Sequence, residues 1–335
     1  MANLTVVVPA YNTSKYIRQC LDSLIDSEYK DFECILVNDE STDNTLEICK
    51  EYAKKDSRFR ILDLPHGGLS NVRNQGINAT TTEYVTFLDS DDYVGSDYYK
   101  VLMNQVENCS PTSLVMASYT RFDNNSNIQV PNHSRIVGVH KLSDVYCFNE
   151  DDLTNLTVNK IYKTELIKKN CLKFEKNMVP GEDLIFNMQY LATGAFDDIV
   201  FVDNYGYFYR FNPESLSAKH CTNFYDIKKL SFDKEYEILL KANASNEQLE
   251  AFRKQYVEFV FAQLRYTVNK NNKESFSDKM RRNTRIMKTE NVGKMLRCGE
   301  GREFVNKYFW PVYCLNRYFP VYIVEKIVYG LFRRK

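Results

Sequence analysis

Apolar residues recur along the first third of the chain in short, β-branched runs, separated by stretches whose apolar positions keep helical spacing. Leu4 to Val8, closed by Pro9, reads as a buried central strand. Tyr16, Ile17, Cys20, Leu21, Leu24 and Ile25 then share one helical face, with Asn12 or Thr13 expected as the cap. Phe32 to Val37 predicts a second strand that ends at Asn38-Asp39. Ser41-Thr42-Asp43 opens a helix carrying Leu46, Cys49 and Ala53 on one side. Phe59 to Leu64 predicts a third strand. His66-Gly67-Gly68 interrupts the pattern, and a helix from about Leu69 to Ala79 leads to a fourth apolar run, Tyr84-Val85-Thr86-Phe87-Leu88. Strands alternating with helices predict βαβ units, hence an α/β fold with a largely parallel sheet.

Further on the pattern loosens. Tyr98 to Asn108 and Thr164 to Lys169 predict helices and Ser113 to Ser118 a strand, while residues 121–150 are polar, rich in Asn and Asp, and read as loop. Pro180-Gly181 halts the chain, and Glu182-Asp183 open a helix to about Ala192. Ile199 to Val202 and Tyr205 to Arg210 read as strands. From Tyr225 to about Glu290 the sequence is helical and rich in Lys, Glu and Leu. Tyr308 to Lys335 changes character. Its Val321, Val324, Ile327, Val328 and Leu331 share one face beside aromatics, and it ends in Arg333-Arg334-Lys335. That composition suits an interfacial amphipathic helix with basic anchors. The competing reading is a terminal helix packed on the protein's own core or on a second subunit.

Composition narrows the classes. Formal net charge is zero over 335 residues, so no global field favours nucleic acid, and none is expected as a partner. Apolar content of 44% and charged content of 26% fit a globular protein. Nine scattered cysteines without a Cys-x-x-Cys pair read as reduced thiols of a cytoplasmic protein rather than a disulfide framework. The start, Met1-Ala2-Asn3-Leu4, has no basic region before an apolar core, which argues against a signal peptide. No run of about 18 apolar residues predicts a spanning helix.

The chemistry gathers where the fourth strand ends. Asp89-Ser90-Asp91-Asp92 places three carboxylates within four residues, past the C-terminal edge of a sheet, where open α/β folds bind ligands. Like charges this close raise one another's pKa unless a cation sits among them. Oxygen donors alone suit Mg²⁺ or Mn²⁺ better than zinc. An acidic turn without a ligand is the plain alternative. A calcium loop fits poorly, because Tyr93 and Val94 stand where an oxygen ligand and a glycine are needed. Other loops point to the same edge. Asp39 ends the second strand and can accept from a base or ribose. Gly67-Gly68 frees a helix start whose amides face anions, with Arg73 one turn in to fork onto a phosphate or base carbonyl. Glu182 and Asp183 sit at a helix N-terminus that stabilises ionised carboxylates, and either could take a proton from a hydroxyl. Arg210 follows a strand and could meet an acceptor, a phosphate or an acid.

Val6-Val7-Val8-Pro9-Ala10-Tyr11-Asn12, Val37-Asn38-Asp39-Glu40-Ser41-Thr42-Asp43, Gly68-Leu69-Ser70 with Arg73-Asn74 and Gly76, Phe87-Leu88-Asp89-Ser90-Asp91-Asp92 and Gly181-Glu182-Asp183 come in an order and spacing that resembles the family 2 glycosyltransferases of the GT-A fold. The resemblance covers roughly residues 4–217. It implies a Rossmann-like, mainly parallel central sheet flanked by helices, with a C-terminal helical extension. Residues 1–220 would be the catalytic domain, about 1–110 binding the nucleotide-sugar and about 111–220 the acceptor. Residues 221–335 would be helical, with a membrane-associating tail at 308–335. The implied reaction is an inverting transfer from a UDP-sugar to a hydroxyl of a glycan acceptor, lipid-linked, in capsule or exopolysaccharide synthesis on the inner face of the membrane, with homo-oligomers open. The donor would meet Pro9, Tyr11, Asp39, Arg73, Asp89, Ser90 and Asp91. Asp91 would hold Mn²⁺ or Mg²⁺, with Asp92 beside it, and Asp183 would be the general base, next to Glu182. Asn159-Lys160-Ile161-Tyr162 and Arg210 resemble motifs of the capsule and exopolysaccharide enzymes. Asn38-Asp39-Glu40 departs from the family's usual two Asp and a Gly. Rival readings are a sugar nucleotidyltransferase, disfavoured by Pro9-Ala10-Tyr11-Asn12 where a basic glycine-rich loop belongs, and a non-catalytic nucleotide-sugar-binding protein. A dinucleotide oxidoreductase would need a Gly-x-Gly-x-x-Gly turn, which is missing there.

Overall fold

The computed structural model describes residues 2–123, 127–145, 148, 153–176, 181–211, 224–266 and 275–289. Its first sheet forms as the apolar runs dictate. Strands β1 (Leu4–Ala10), β2 (Phe32–Asp39), β3 (Phe59–Leu64) and β4 (Tyr84–Phe87) pair in parallel in the order 4-1-2-3. Strand β10 (Tyr162–Lys163) closes the β4 edge antiparallel. Every residue of β1 is buried, as a central strand with helices on both faces requires. Pro9 fits there because the pairing of β1 with β4 ends at Val7 and Phe87. Val7 O accepts from Leu88 N, so the nitrogen of Pro9, two residues on, faces the side where the ladder has stopped.

Helices α1 (Ile17–Asp26), α2 (Thr45–Lys55), α3 (Leu69–Ala79) and α4 (Tyr98–Asn108) occupy the stretches with helical spacing. The cap of α1 differs from expectation. The helix starts at Ile17, and the carbonyl of Thr13, not its side chain, accepts the amides of Tyr16 (2.8 Å) and Ile17 (2.9 Å). Asn12, at φ +51°, turns instead to the neighbouring loop, where its Oδ1 accepts from Thr42 N at 2.8 Å.

Residues 121–150 hold more than loop. Strand β7 (Thr120–Asp123), β8 (Ile128–Gln129) and β9 (Gly138–Lys141) lie in this stretch. They are short, β8 and β9 border small sheets, and both residues of β8 are exposed, so no alternating apolar pattern marks them. Two mixed sheets result. One is β6 (Ser113–Ala117), β11 (Asp198–Val202) and β9; the other is β5 (Tyr93–Val94), β12 (Tyr207–Phe211), β7 and β8. The second stands beside the end of β4, and it brings Tyr207 and Arg210 to the acidic residues.

The chain divides into two compact units after Ala244. The helix Phe224–Lys241 belongs to the first. It packs on the helix Glu182–Leu191 with Tyr225, Ile227, Phe232, Ile238 and Leu239 buried, and Lys241 Nζ donates to Ala192 O at 2.7 Å. The second unit contains the helices Asn246–Tyr266 and Phe276–Thr289, joined by Arg282 on the carbonyl of Gln263. The proposed membrane tail, 308–335, lies outside the described residues. No helix among the described residues is long and apolar enough to cross a membrane.

One close approach sets the depth of α3. A Cβ built on Gly76 would fall 2.3 Å from Cγ1 of Val7, so only glycine lets the helix lie this near β1. Arg73 sits one turn earlier on the same buried face. Gly76→Ala is therefore expected to lose stability. Overpacking costs about 1–3 kcal/mol, offset by no more than about 1 kcal/mol of helix propensity. In urea denaturation the Val7→Ala, Gly76→Ala double variant should lose less stability than the sum of the single losses, since the smaller residue makes room. Strict additivity would show that the contact is not limiting.

Candidate active site

Three chain segments converge on one side chain. Arg73 projects from the first turns of α3, only 2% exposed. Its Nη1 donates to Asp183 Oδ1 at 2.5 Å and its Nη2 to Asp89 Oδ1 at 2.9 Å, with Glu182 Oε1 3.6 Å away. Phe174 lies beneath the guanidinium, 5.4 Å from its centre, stacked on Phe186 at 4.1 Å and edge-on to Phe87 at 5.3 Å. The end of β4 and the start of the helix Glu182–Leu191 are thus tied through one buried cation. Arg73 does not reach toward solvent for a phosphate, as its place in the sequence suggested. Its two amino groups are spent on carboxylates.

The electrostatics follow from burial. Burial works against the charge of Arg73, but Asp183, Asp89 and Glu182 outweigh it and push its pKa higher still. Burial also pushes the Asp183 carboxyl up to about 7. Arg73 pulls it back, Glu182 and Asp89 add to the rise, and a hydrogen bond from Thr157 opposes it. A neighbouring cation lowers a carboxyl pKa by about 1–3, whereas burial raises it by as much as about 3–5, so the balance at Asp183 goes to burial. Its side chain nevertheless keeps 21% of its surface, enough to meet a hydroxyl from outside. A carboxylate that titrates near neutrality and faces an opening has the properties of a general base.

Among Asp89, Ser90, Asp91 and Asp92 the roles separate. Asp92 is buried, and both its oxygens are occupied, Oδ2 by the hydroxyl of Tyr207 at 2.6 Å and Oδ1 by the amide of Arg210 at 2.7 Å. Burial first, then Asp91 and Asp89, raise its pKa well above the usual carboxylate range. Ser90 is buried as well. Asp91 has no side-chain hydrogen-bond partner among the described residues, and burial together with Asp89 pushes its carboxyl up to about 6. It is the member of the group left to bind something else.

Arg210 frames this group from outside. Its Nε donates to Asp91 O at 2.8 Å and its Nη2 to Gln19 Oε1 at 2.7 Å, while Tyr16 and Phe122 lie 4.6 and 4.4 Å from the guanidinium. Lys160 lies on the inner side. It is 1% exposed, and its ammonium is engaged by backbone carbonyls rather than by a cleft.

Asp39 closes the far end. Its oxygens accept from Gly67 N at 2.8 Å and Gly68 N at 3.0 Å, and His66 Nδ1 stands 2.9 Å from Oδ2. The carboxylate thereby shapes the Gly67-Gly68 turn. His66 pairs with the exposed ring of Tyr11, centroids 4.7 Å apart, making an aromatic shelf at the sheet's edge. Glu40, where the resemblance leads one to expect glycine, sits at φ +58°, a left-handed backbone that costs a non-glycine residue about 1–2 kcal/mol. Its Oε2 accepts the amide of His66 at 3.0 Å, so the departure adds a link between the same two loops.

Sequence reasoning missed Tyr207, Thr157, His66 and Gln19. All four act on the site through partners more than 20 residues away in sequence, and none stands in a motif that marks it. Tyr207 was legible only as part of a strand.

The arrangement has counterparts. A family profile described as Glycosyl transferase family 2 matches residues 5–170. Glycosyltransferase GlyA of Streptococcus pneumoniae serotype 4 is 31% identical over 227 residues, which are 64% of this chain and 31% of that protein. The uncharacterized glycosyltransferase EpsJ of Bacillus subtilis is 29% identical over 261 residues, 74% of each chain. The chain therefore spans under a third of GlyA and about three quarters of EpsJ. The crystal structure of Staphylococcus aureus TarS 1–349 in complex with UDP-GlcNAc superposes with a TM-score of 0.61 at 27% identity, covering 78% of this chain and 72% of that one. By the profile match, these relatives and the shared α/β architecture, the chain belongs to the family 2 glycosyltransferases and is built on the GT-A fold.

Proposed function

We propose that this protein transfers a sugar from a UDP-sugar to a hydroxyl of a glycan acceptor, with inversion at the anomeric carbon, in the assembly of a bacterial surface polysaccharide. The observation that carries the reading is the Arg73 bridge, which holds the candidate base Asp183 and the first carboxylate of the Asp89-Ser90-Asp91 group on one cation. The base and the first acid of the donor-binding group are then set at a fixed separation before the donor arrives, as in-line displacement requires. The UDP-GlcNAc complex of TarS supports a UDP-sugar donor. We further propose a lipid-linked acceptor in capsule or exopolysaccharide synthesis and docking of residues 308–335 at the cytoplasmic face of the membrane. Both rest on the sequence.

In this reading the base of the nucleotide lies at the Tyr11–His66 shelf, where Asp39 Oδ1, bonded to Gly67 N, keeps a lone pair that can accept from uracil or ribose, while Oδ2 faces both Gly68 N and His66 Nδ1. The diphosphate runs toward Asp91, and Asp183 accepts the proton of the acceptor hydroxyl as its oxygen attacks the anomeric carbon. Among the described residues no three Asp, Glu, His or Cys side chains converge as a ready-made metal cage. The single Asp91 carboxylate, which no other side chain among the described residues engages, suits Mg²⁺ or Mn²⁺, which commonly use one or two carboxylates together with substrate phosphates and waters. Asp91 would hold such an ion, which when bound would neutralise charge growing on the leaving diphosphate. A protein that binds nucleotide-sugar without turning it over is the other reading, and UDP release in the presence of acceptor distinguishes the two.

Asp183→Asn keeps the shape and removes the basicity. It should lower kcat by about 10²–10⁴ with UDP-sugar affinity, read by calorimetry, nearly unchanged. Since the base works deprotonated, wild-type kcat should rise with pH through about 7 and level off above it. A variant as active as wild type would remove Asp183 from the mechanism. Asp91→Asn should cost roughly 10²–10⁴ in rate and abolish the response to added Mn²⁺ after EDTA treatment. Full activity of that variant in EDTA would reduce the acidic group to a turn. NMR of the product should show a β linkage from an α-linked donor. Retention of the α configuration would exclude a single displacement.

A further inference from the structure

Lys160 is buried, yet its ammonium lacks no partner. It donates to Leu153 O at 2.7 Å, Leu156 O at 2.5 Å and Asn159 Oδ1 at 2.6 Å. Three donors meet three acceptors, the condition for tolerating a charge away from water. A role on donor phosphates is ruled out by this geometry, since no proton of the ammonium is left and the side chain does not face the opening. What the three bonds do is gather residues 153–159 into a tight turn. Asn187 holds the same turn from the other side. It lies one helical turn after Asp183, and its Nδ2 donates to Thr154 O at 2.7 Å and Leu156 O at 2.9 Å. Asn159 Nδ2 ties the end of the turn to Ala117 O at 3.0 Å. From this turn Thr157, itself buried, donates its hydroxyl to Asp183 Oδ2 at 3.2 Å.

We propose that Thr157 and Lys160 are positioning residues for the base. Lys160 holds the turn, the turn presents the Thr157 hydroxyl, and that hydroxyl fixes one oxygen of Asp183 while Arg73 fixes the other. This rests on Asp183 being the base. With Oδ1 on Arg73 and Oδ2 on Thr157, rotation about the last bond of the Asp183 side chain is stopped, and the remaining lone pairs point one way. A carboxylate held in one orientation meets the acceptor hydroxyl without first being ordered. The charged and titratable groups around Asp183 are Arg73, Glu182 and Asp89 on the open side, with Lys160 and Tyr162 behind. Burial draws the Lys160 ammonium down to about 7 and Asp183 opposes this, so the two groups sense each other across the turn.

Thr157→Val keeps the shape and removes the donor; Thr157→Ser keeps the donor. A hydroxyl bonded to the ionised form lowers a carboxyl pKa, so its loss raises it and the base then requires higher pH. On the full chain, the acidic limb of kcat for Thr157→Val should move upward by roughly 0.5–1 pH units, with kcat below the limb down about 3–10-fold. The KM for the donor should stay within about twofold, and Thr157→Ser should return to the wild-type profile. Lys160→Met, confirmed folded by circular dichroism, should displace the limb in the same direction. Asn187→Ala, which loosens the turn without touching the ammonium, should do so too. Carboxyl NMR titration of Asp183, assigned by its loss in Asp183→Asn, should report the same displacement without turnover. An unmoved limb and titration in Thr157→Val, or equal impairment of the Val and Ser variants, overturns the proposal. Full turnover by Asp183→Asn would instead overturn the base assignment, and the titration keeps the two failures apart.

Discussion

The site depends on one buried cation held among more negative charge than it can neutralise. Arg73 faces Asp89, Glu182 and Asp183, and a guanidinium enclosed to this degree is tolerated only because carboxylates take both of its amino groups. The converse also holds. Three acids cannot share this space without a cation to hold them together. Burial, with Glu182 and Asp89 adding to it against the pull of Arg73, raises the pKa of Asp183, the property that a base near neutrality needs.

That arrangement reaches down into the packing. The depth of Arg73 follows from the depth of α3, and α3 lies close to β1 because position 76 has no side chain. Phe174, stacked on Phe186, gives the guanidinium a flat apolar floor. The helix that carries Asp183 is positioned from below by Asn187 and by the buried hydroxyl of Tyr162 on its Oδ1, 2.6 Å away. A change at Gly76 or Asn187 would therefore be felt at the acids although neither touches them.

The second half of the chain completes the acidic group by subtraction. Tyr207 and Arg210, brought in on β12, occupy both oxygens of Asp92 and the carbonyl of Asp91, and leave the Asp91 carboxylate unclaimed by another side chain. Three adjacent acids thus become one structural carboxylate, one ion-paired carboxylate and one available carboxylate. Asp39 is divided in a similar way, with one lone pair of each oxygen spent on the Gly67-Gly68 turn.

The parallel sheet, its four flanking helices and the presence of acids at its C-terminal edge were legible in the sequence, because strand and helix periods are local and a buried strand advertises itself in a run such as Leu4–Val8. Asp39, Asp89, Asp91 and Asp183 could be singled out for the same reason, each standing directly after a strand or at the start of a helix. The short strands of residues 121–150 were not legible, since two to four residues in a small sheet carry no period. The division of labour among the acids was not legible either. Whether Arg73 reaches a phosphate or the Asp183 carboxylate, and which of Asp91 and Asp92 stays available, depend on partners 110 to 119 residues away in sequence. Lys160 turns to acceptors no more than seven residues away, which only the packed turn brings round its ammonium. Charge and hydrogen-bonding capacity belong to a residue type and can be read from the chain. The partner that uses them is chosen by burial, and burial exists only once distant segments have packed.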